Sequence, residues 1–119
     1  MDPRTLEEFG LTPNEAKVYL SLVVHGPSTA SAVTRDSGLH RVLVYDVLVR
    51  LSEKGLVGSV VKAGSKVFEA ASPKELVDRL DRAEEEVNAK RKRLQQVYPS
   101  LMVLFSNVKE KQGVFFFKG

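Results

Sequence analysis

The sequence predicts a mainly α-helical chain with one small β-hairpin, followed by a long coiled-coil dimerisation helix. Three observations carry this expectation. Thr12-Pro13-Asn14-Glu15 and Ser72-Pro73-Lys74-Glu75 are capping-box patterns with proline at the first helical position. In such a box the hydroxyl and the carboxylate satisfy backbone N–H groups that a helix start leaves unpaired, and proline needs no donor there. Leu56 to Val61 is β-branched and apolar, which reads as a strand rather than a helix. From Leu76 to Leu104, residues at alternating steps of 4 and 3 are apolar with one exception.

Taken in order, the first helix opens at Thr12, with Leu11 placed to staple onto its first turn. Ala16, Tyr19, Leu20 and Val23 recur at helical spacing and are expected to face a core. His25-Gly26-Pro27 stops it, because glycine closes a helix and proline cannot continue one. A second, short helix follows from Ala30 to Asp36, started by Ser28 or Thr29 and ended by Gly38 as a left-handed residue. The third runs from about Arg41 to Lys54 with Val44, Val47, Leu48 and Leu51 inward, and Gly55 closes it. Leu56 to Val61 and Lys66 to Ala70 are two strands joined by the turn Lys62-Ala63-Gly64-Ser65. Three helices and then a hairpin is the element order of a winged helix-turn-helix.

The last helix opens at Ser72. Leu76, Leu80, Ala83, Val87, Lys90, Leu94, Val97, Leu101 and Leu104 keep a heptad register, with Leu80, Val87, Leu94 and Leu101 at one seam position. A seam this narrow, kept over four heptads, marks a coiled coil rather than a surface helix, whose stripe is wider. Lys90 interrupts the seam, which costs stability and helps to set register. In a parallel pair Arg79 would face Glu84 and Glu86 would face Arg91, both opposite in sign. Pro99 lies within the register, and a bend or break is expected there.

Composition narrows the function classes. The chain has 119 residues, 43% hydrophobic and 28% charged, ordinary for a soluble globular protein and too apolar for disorder. It has no run of about 18 apolar residues that would span a membrane. The opening MDPRTLEEFG is not patterned as a secretory signal, so a cytoplasmic location is expected. Cysteine is absent, which excludes thiolate metal sites and thiol catalysis. The 2 histidines, His25 and His40, belong to no metal-spaced cluster, no serine stands in a nucleophile motif, and no glycine-rich phosphate loop occurs. Neither an enzyme nor a cofactor nor a metal is expected. The net charge of +3 permits a polyanionic partner without demanding one. Residues 1–72 carry 8 basic and 8 acidic groups, but 35–66 alone carry 6 basic and 3 acidic, a local excess in one stretch.

With the elements placed, residues 10–33, GLTPNEAKVYLSLVVHGPSTASAV, and 37–57, SGLHRVLVYDVLVRLSEKGLV, resemble the winged-helix domain of TrmB-like regulators. These are mostly archaeal transcription factors within a broader MarR and ArsR group. The resemblance covers about residues 6–80. Its more specific parts are Leu11 to Ala16, Gly26-Pro27 with Thr29-Ala30, Val44-Tyr45, and Glu53-Lys54-Gly55-Leu56-Val57. It implies DNA binding as a homodimer and regulation of nearby promoters. Larger members carry a sensor domain after the coiled-coil helix, often for sugars. The apolar tail 113–119 resembles that domain's first strand, so a fragment of an effector-bearing regulator is one reading, and a small-molecule effector is not expected to act on this chain. Family members usually have Pro-Arg and then polar residues at the start of the third helix; here His40-Arg41-Val42-Leu43 keeps the arginine alone.

The expected organisation is a winged helix-turn-helix at residues 1–72, a coiled-coil dimerisation helix at 73–106 and a tail at 107–119. On the third helix, Arg41 would meet a base edge or phosphate, Tyr45 and Arg50 phosphates, and His40 either. Val42, Asp46 and Val49 turn outward with Leu43 on the flank, and the apolar members would touch thymine methyl groups or mark a protein contact. Lys62, Ser65 and Lys66 form a wing for the backbone or minor groove. Thr29 and Ser31 start the second helix, where N–H groups suit a phosphate and where plain capping explains Thr29 equally well. Lys90-Arg91-Lys92-Arg93 reads as a solvated coiled-coil face beside Glu84-Glu85-Glu86. Duplex DNA and a second copy are the expected partners. The rival expectation is a winged-helix adaptor that binds protein in a transcription complex.

Overall fold

The structure, a computed structural model, describes residues 1–112; the β-prone stretch at 113–119 lies outside the described residues. The chain divides into two units, Met1–Leu80 and Asp81–Gly119.

The first unit is a winged helix. It comprises α1 (Arg4–Glu7), α2 (Pro13–His25), β1 (Ser28–Thr29), α3 (Ala30–Ser37), α4 (Arg41–Glu53), β2 (Val57–Lys62), β3 (Ser65–Ala70) and the first turns of α5 (Lys74–Gln112). The capping box at Thr12 forms as its spacing implies. Thr12 Oγ1 accepts from Glu15 N–H at 3.2 Å, and Glu15 Oε1 accepts from Thr12 N–H at 2.8 Å. Gly38 is left-handed, with φ 71°. Gly55 ends α4 by a Schellman pairing: Leu56 N–H donates to Leu51 O at 2.9 Å and Gly55 N–H to Ser52 O at 3.0 Å. Ser72 caps α5 through Lys74 N–H at 3.2 Å, one position earlier than its capping-box pattern implies.

The sheet is antiparallel, in the order β1-β3-β2. Lys62 pairs with Ser65, so the loop is the two residues Ala63-Gly64. Both have positive φ, 48° and 76°, the requirement of a type I′ hairpin turn. Alanine meets it at a steric cost. Strand β1 joins the expected hairpin as a third strand, Ser28 opposite Phe68 and Thr29 opposite Val67. Two residues carry no strand period, just as the four of α1 carry no helical one.

The core of this unit gathers Val18 and Leu22 from α2, Val33 from α3, the four inward residues of α4, Leu56 just after it, and Val57 and Phe68 from the sheet. Each such side chain contributes roughly 1.5–3 kcal/mol by leaving water. One expectation is corrected here. Ala16 and Tyr19 are buried, but Val23 is exposed, and Val18 and Leu22 hold the inward positions. The stripe of α2 runs through 15, 16, 18, 19 and 22, and the closely spaced apolar residues Leu20, Leu22, Val23 and Val24 leave its phase ambiguous from composition alone. Tyr19 hydroxyl donates to Ala71 O at 2.9 Å, and burial raises its pKa. Leu76 is also reassigned. It packs, partly buried, against this core, so the first seam leucine is used inside its own chain.

In the second unit the described residues, 81–112, are one continuous stretch of α5. The helix runs through Pro99 without a break, and 107–112, read from the sequence as tail, are its last turns. Val87, Leu94, Val97, Leu101 and Leu104 are exposed in the single chain, and Val108 extends their register by one more step.

Candidate nucleic-acid interface

Helix α4 presents two faces. Val44, Val47, Leu48 and Leu51 are sealed in the core. At 3.6 residues per turn the opposite side carries Val42, Asp46 and Val49, with Arg41 and Tyr45 on one flank and Arg50 on the other. Val42 is 77% exposed and Val49 56%. Leu43 departs from expectation: it is partly buried against the core, which its flanking angle permits. His40 is the N-cap residue of α4, but its exposed ring makes no cap hydrogen bond.

The cations differ in their engagement. The Arg41 guanidinium carbon stands 5.9 Å from the centroid of the Tyr45 ring, a cation–π distance. Arg50 pairs with Asp46 at 2.8 Å, one helical turn apart and half-exposed. That pairing follows from the i, i+4 spacing of Asp46 and Arg50 on one helix. On the wing, Lys62, Ser65 and Lys66 are exposed, and the Lys66 ammonium lies 5.3 Å from the Phe68 ring centroid.

Five of the expected residues come together. Thr29, Ser31, Tyr45, Ser65 and Lys66, with Ala30 and Phe68, line a shallow cleft of about 320 Å³. It lies where the start of α3, the flank of α4 and strand β3 meet. Thr29 serves there as the N-cap of α3, its Oγ1 accepting from Ala32 N–H at 3.2 Å, while Ser31 is exposed. Sequence reasoning missed Phe68 as a wall of this cleft. The alternation along β3 was the available signal, since it puts Phe68 on the same face as Lys66. Arg41, Val42, Asp46 and Arg50 lie on α4, and Lys62 at the end of β2, outside that lining.

Below the interface, Glu15 is fully buried and its Oε1 accepts from the Lys54 ammonium at 2.6 Å. Burial pushes the Glu15 carboxyl up, but the hydrogen bonds from Lys54 and the Thr12 N–H, with the lysine charge, hold it below the ordinary glutamate value. Lys54 also donates to Gly10 O at 3.2 Å, and its own carbonyl accepts from Arg79 Nη1 at 3.2 Å. This cluster fixes the end of α4 against α2 and α5; its residues were not singled out as a pair in the sequence. Among the described residues no helix is long and apolar enough to cross a membrane, and no group of three or more His, Asp or Glu is placed to hold a metal.

These features define a winged-helix protein, and solved structures share its fold. The archaeal chromatin protein TrmBL2, whose structure is described as showing a novel mode of DNA binding, matches with a TM-score of 0.80 at 21% identity, over 99% of this chain and 47% of that one. A MarR family protein from Bacillus stearothermophilus matches at 0.55 and 18% identity, over 93% and 79%. The profile of the family described as "Sugar-specific transcriptional regulator TrmB" matches residues 6–74, and the chain belongs to the TrmB family. The HTH-type sugar sensing transcriptional regulator TrmBL1 of Pyrococcus furiosus is 36% identical over 75 residues, 63% of this chain and 22% of that protein. The chain thus spans about a fifth of that relative and about half of TrmBL2.

Proposed function

We propose that this chain is a cytoplasmic, dimeric DNA-binding transcriptional regulator that lays α4 in the major groove and its β2–β3 wing on the backbone or minor groove. The observation that carries this reading is the cleft in which the start of α3, Tyr45 of α4 and Lys66 of the wing converge, beside an α4 face that the core leaves exposed. Hydroxyls, an ammonium and a helix N-terminus at one cleft suit a backbone phosphate. Membership of a family of transcriptional regulators supports the same reading.

Pairing of α5 with that of a second copy would cover the exposed seam from Leu80 through Ala83, Val87, Lys90, Leu94, Val97 and Leu101 to Leu104. It would set two α4 helices on half-sites about 34 Å apart or a multiple of that. Fluorescence titration of labelled genomic fragments at low and moderate salt tests the reading, with sedimentation to follow pairing. Saturable binding by a dimer is the expected result. A monomer that ignores duplex at low salt contradicts it, and would favour a protein-binding adaptor, for which the exposed valines of α4 are the specific argument.

A further inference from the structure

Resting on the placement of α4 in the major groove, we infer that Val42 and Val49 read the duplex by packing on thymine methyl groups. Four observations lead there. Both valines are exposed on the side of α4 diametrically opposite its buried stripe, the position that faces the groove floor when the helix flanks meet the backbone. They stand seven residues apart, about 10.5 Å along the axis, or about three base-pair rises. The polar complement between them is small. Helix α4 contains no asparagine, glutamine or lysine, and its Ser52 hydroxyl donates to Leu48 O at 2.8 Å. Arg50 is held by Asp46 at 2.8 Å.

The amide pair that reads adenine is therefore absent from this helix, and Arg41 at the first position is the guanidinium without a carboxylate partner on α4. The apolar feature of the major groove is the thymine C5-methyl. Charge favours DNA over a protein as the occupant. Arg41 flanks the valines on α4, and Lys62 and Lys66 stand exposed on the wing. Asp46, between the valines, accepts hydrogen bonds and disfavours an approach that lacks a base N–H donor opposite it.

The test needs no knowledge of the operator. An alternating adenine–thymine duplex and its uracil counterpart have the same hydrogen-bonding edges and differ in the methyl. A guanine–cytosine duplex with and without 5-methylcytosine puts the methyl back at the same place. Affinities are read by fluorescence anisotropy at low salt for the intact chain and for Val42→Ser with Val49→Ser. Both sites are exposed, so the variant should fold as the parent does, and its thermal transition checks this.

The parent should bind the uracil duplex at least about fourfold more weakly than the thymine duplex, the scale of one buried methyl. It should gain on cytosine methylation, and the double variant should lose both differences. Equal affinity for the thymine and uracil duplexes overturns the inference while leaving the DNA-binding reading intact. So does a difference that persists unchanged in the variant, which assigns it to the duplex and not to these valines. Absence of binding to every duplex overturns the reading beneath it as well.

Discussion

The Lys54 ammonium lies 2.6 Å from Oε1 of Glu15, a carboxylate sealed in the core while the lysine remains 27% exposed. The pair joins the C-cap of α4 to the first turn of α2. Removing one partner leaves the other charge buried and unmatched, so Lys54→Ala should lower stability by about 3 kcal/mol, read by urea unfolding. Glu15→Gln keeps an acceptor for the Thr12 N–H and should cost less.

The same carboxylate makes stability pH-dependent. Its folded value is depressed, so its contribution is full above the unfolded value of about 4.3 and is lost as pH falls through the lower folded value. Unfolding midpoints measured from neutral pH downward should fall more steeply for the parent than for Glu15→Gln. Parallel curves would contradict this assignment.

The wing turn carries strain that a single change relieves. Ala63 has φ 48°, a conformation that asparagine tolerates better than alanine. Ala63→Asn should raise stability by about 0.5–1 kcal/mol in thermal unfolding, with DNA affinity little changed.

Charge changes at the interface should separate into two kinds. Lys62→Ala and Lys66→Ala should weaken specific and random DNA alike and lower the salt slope by about one each. Arg41→Ala should cost more on specific than on random sequence. Asp46→Ala frees Arg50 and removes a negative charge from the groove-facing side, so it should tighten random-sequence binding while changing stability by only about 0.5 kcal/mol.

The seam makes its own demand. Leu94→Asp places a charge at its centre and should abolish pairing in sedimentation, leaving the thermal transition of residues 1–80 in place. Loss of high-affinity DNA binding should accompany it.

Local chemistry made much of this fold legible. Thr12 with Glu15, Gly38 and Gly55 set helix ends through bonds between residues close in sequence, and the structure keeps each of them. Segments too short for a period, α1 and β1, left no trace. The phase of α2 is ambiguous among Leu20, Leu22, Val23 and Val24, where neighbours in space, not in sequence, decide that Leu22 goes in and Val23 stays out. Leu76 fits a heptad and also a core, and only packing separates the two. The cleft joins Thr29, Tyr45 and Lys66 from three elements; each was a candidate by its chemistry, but their meeting depends on the tertiary fold.

The far turns of α5 have a practical meaning. From Val97 to Val108, Tyr98, Met102, Val103 and Phe105 lie off the heptad positions and are exposed, so two yoked strands would still show a greasy collar to water. Solubility, rather than folding, becomes the weak point of this chain when handled by itself: salting-out and surface adsorption should begin at that collar, well before the head loses its shape.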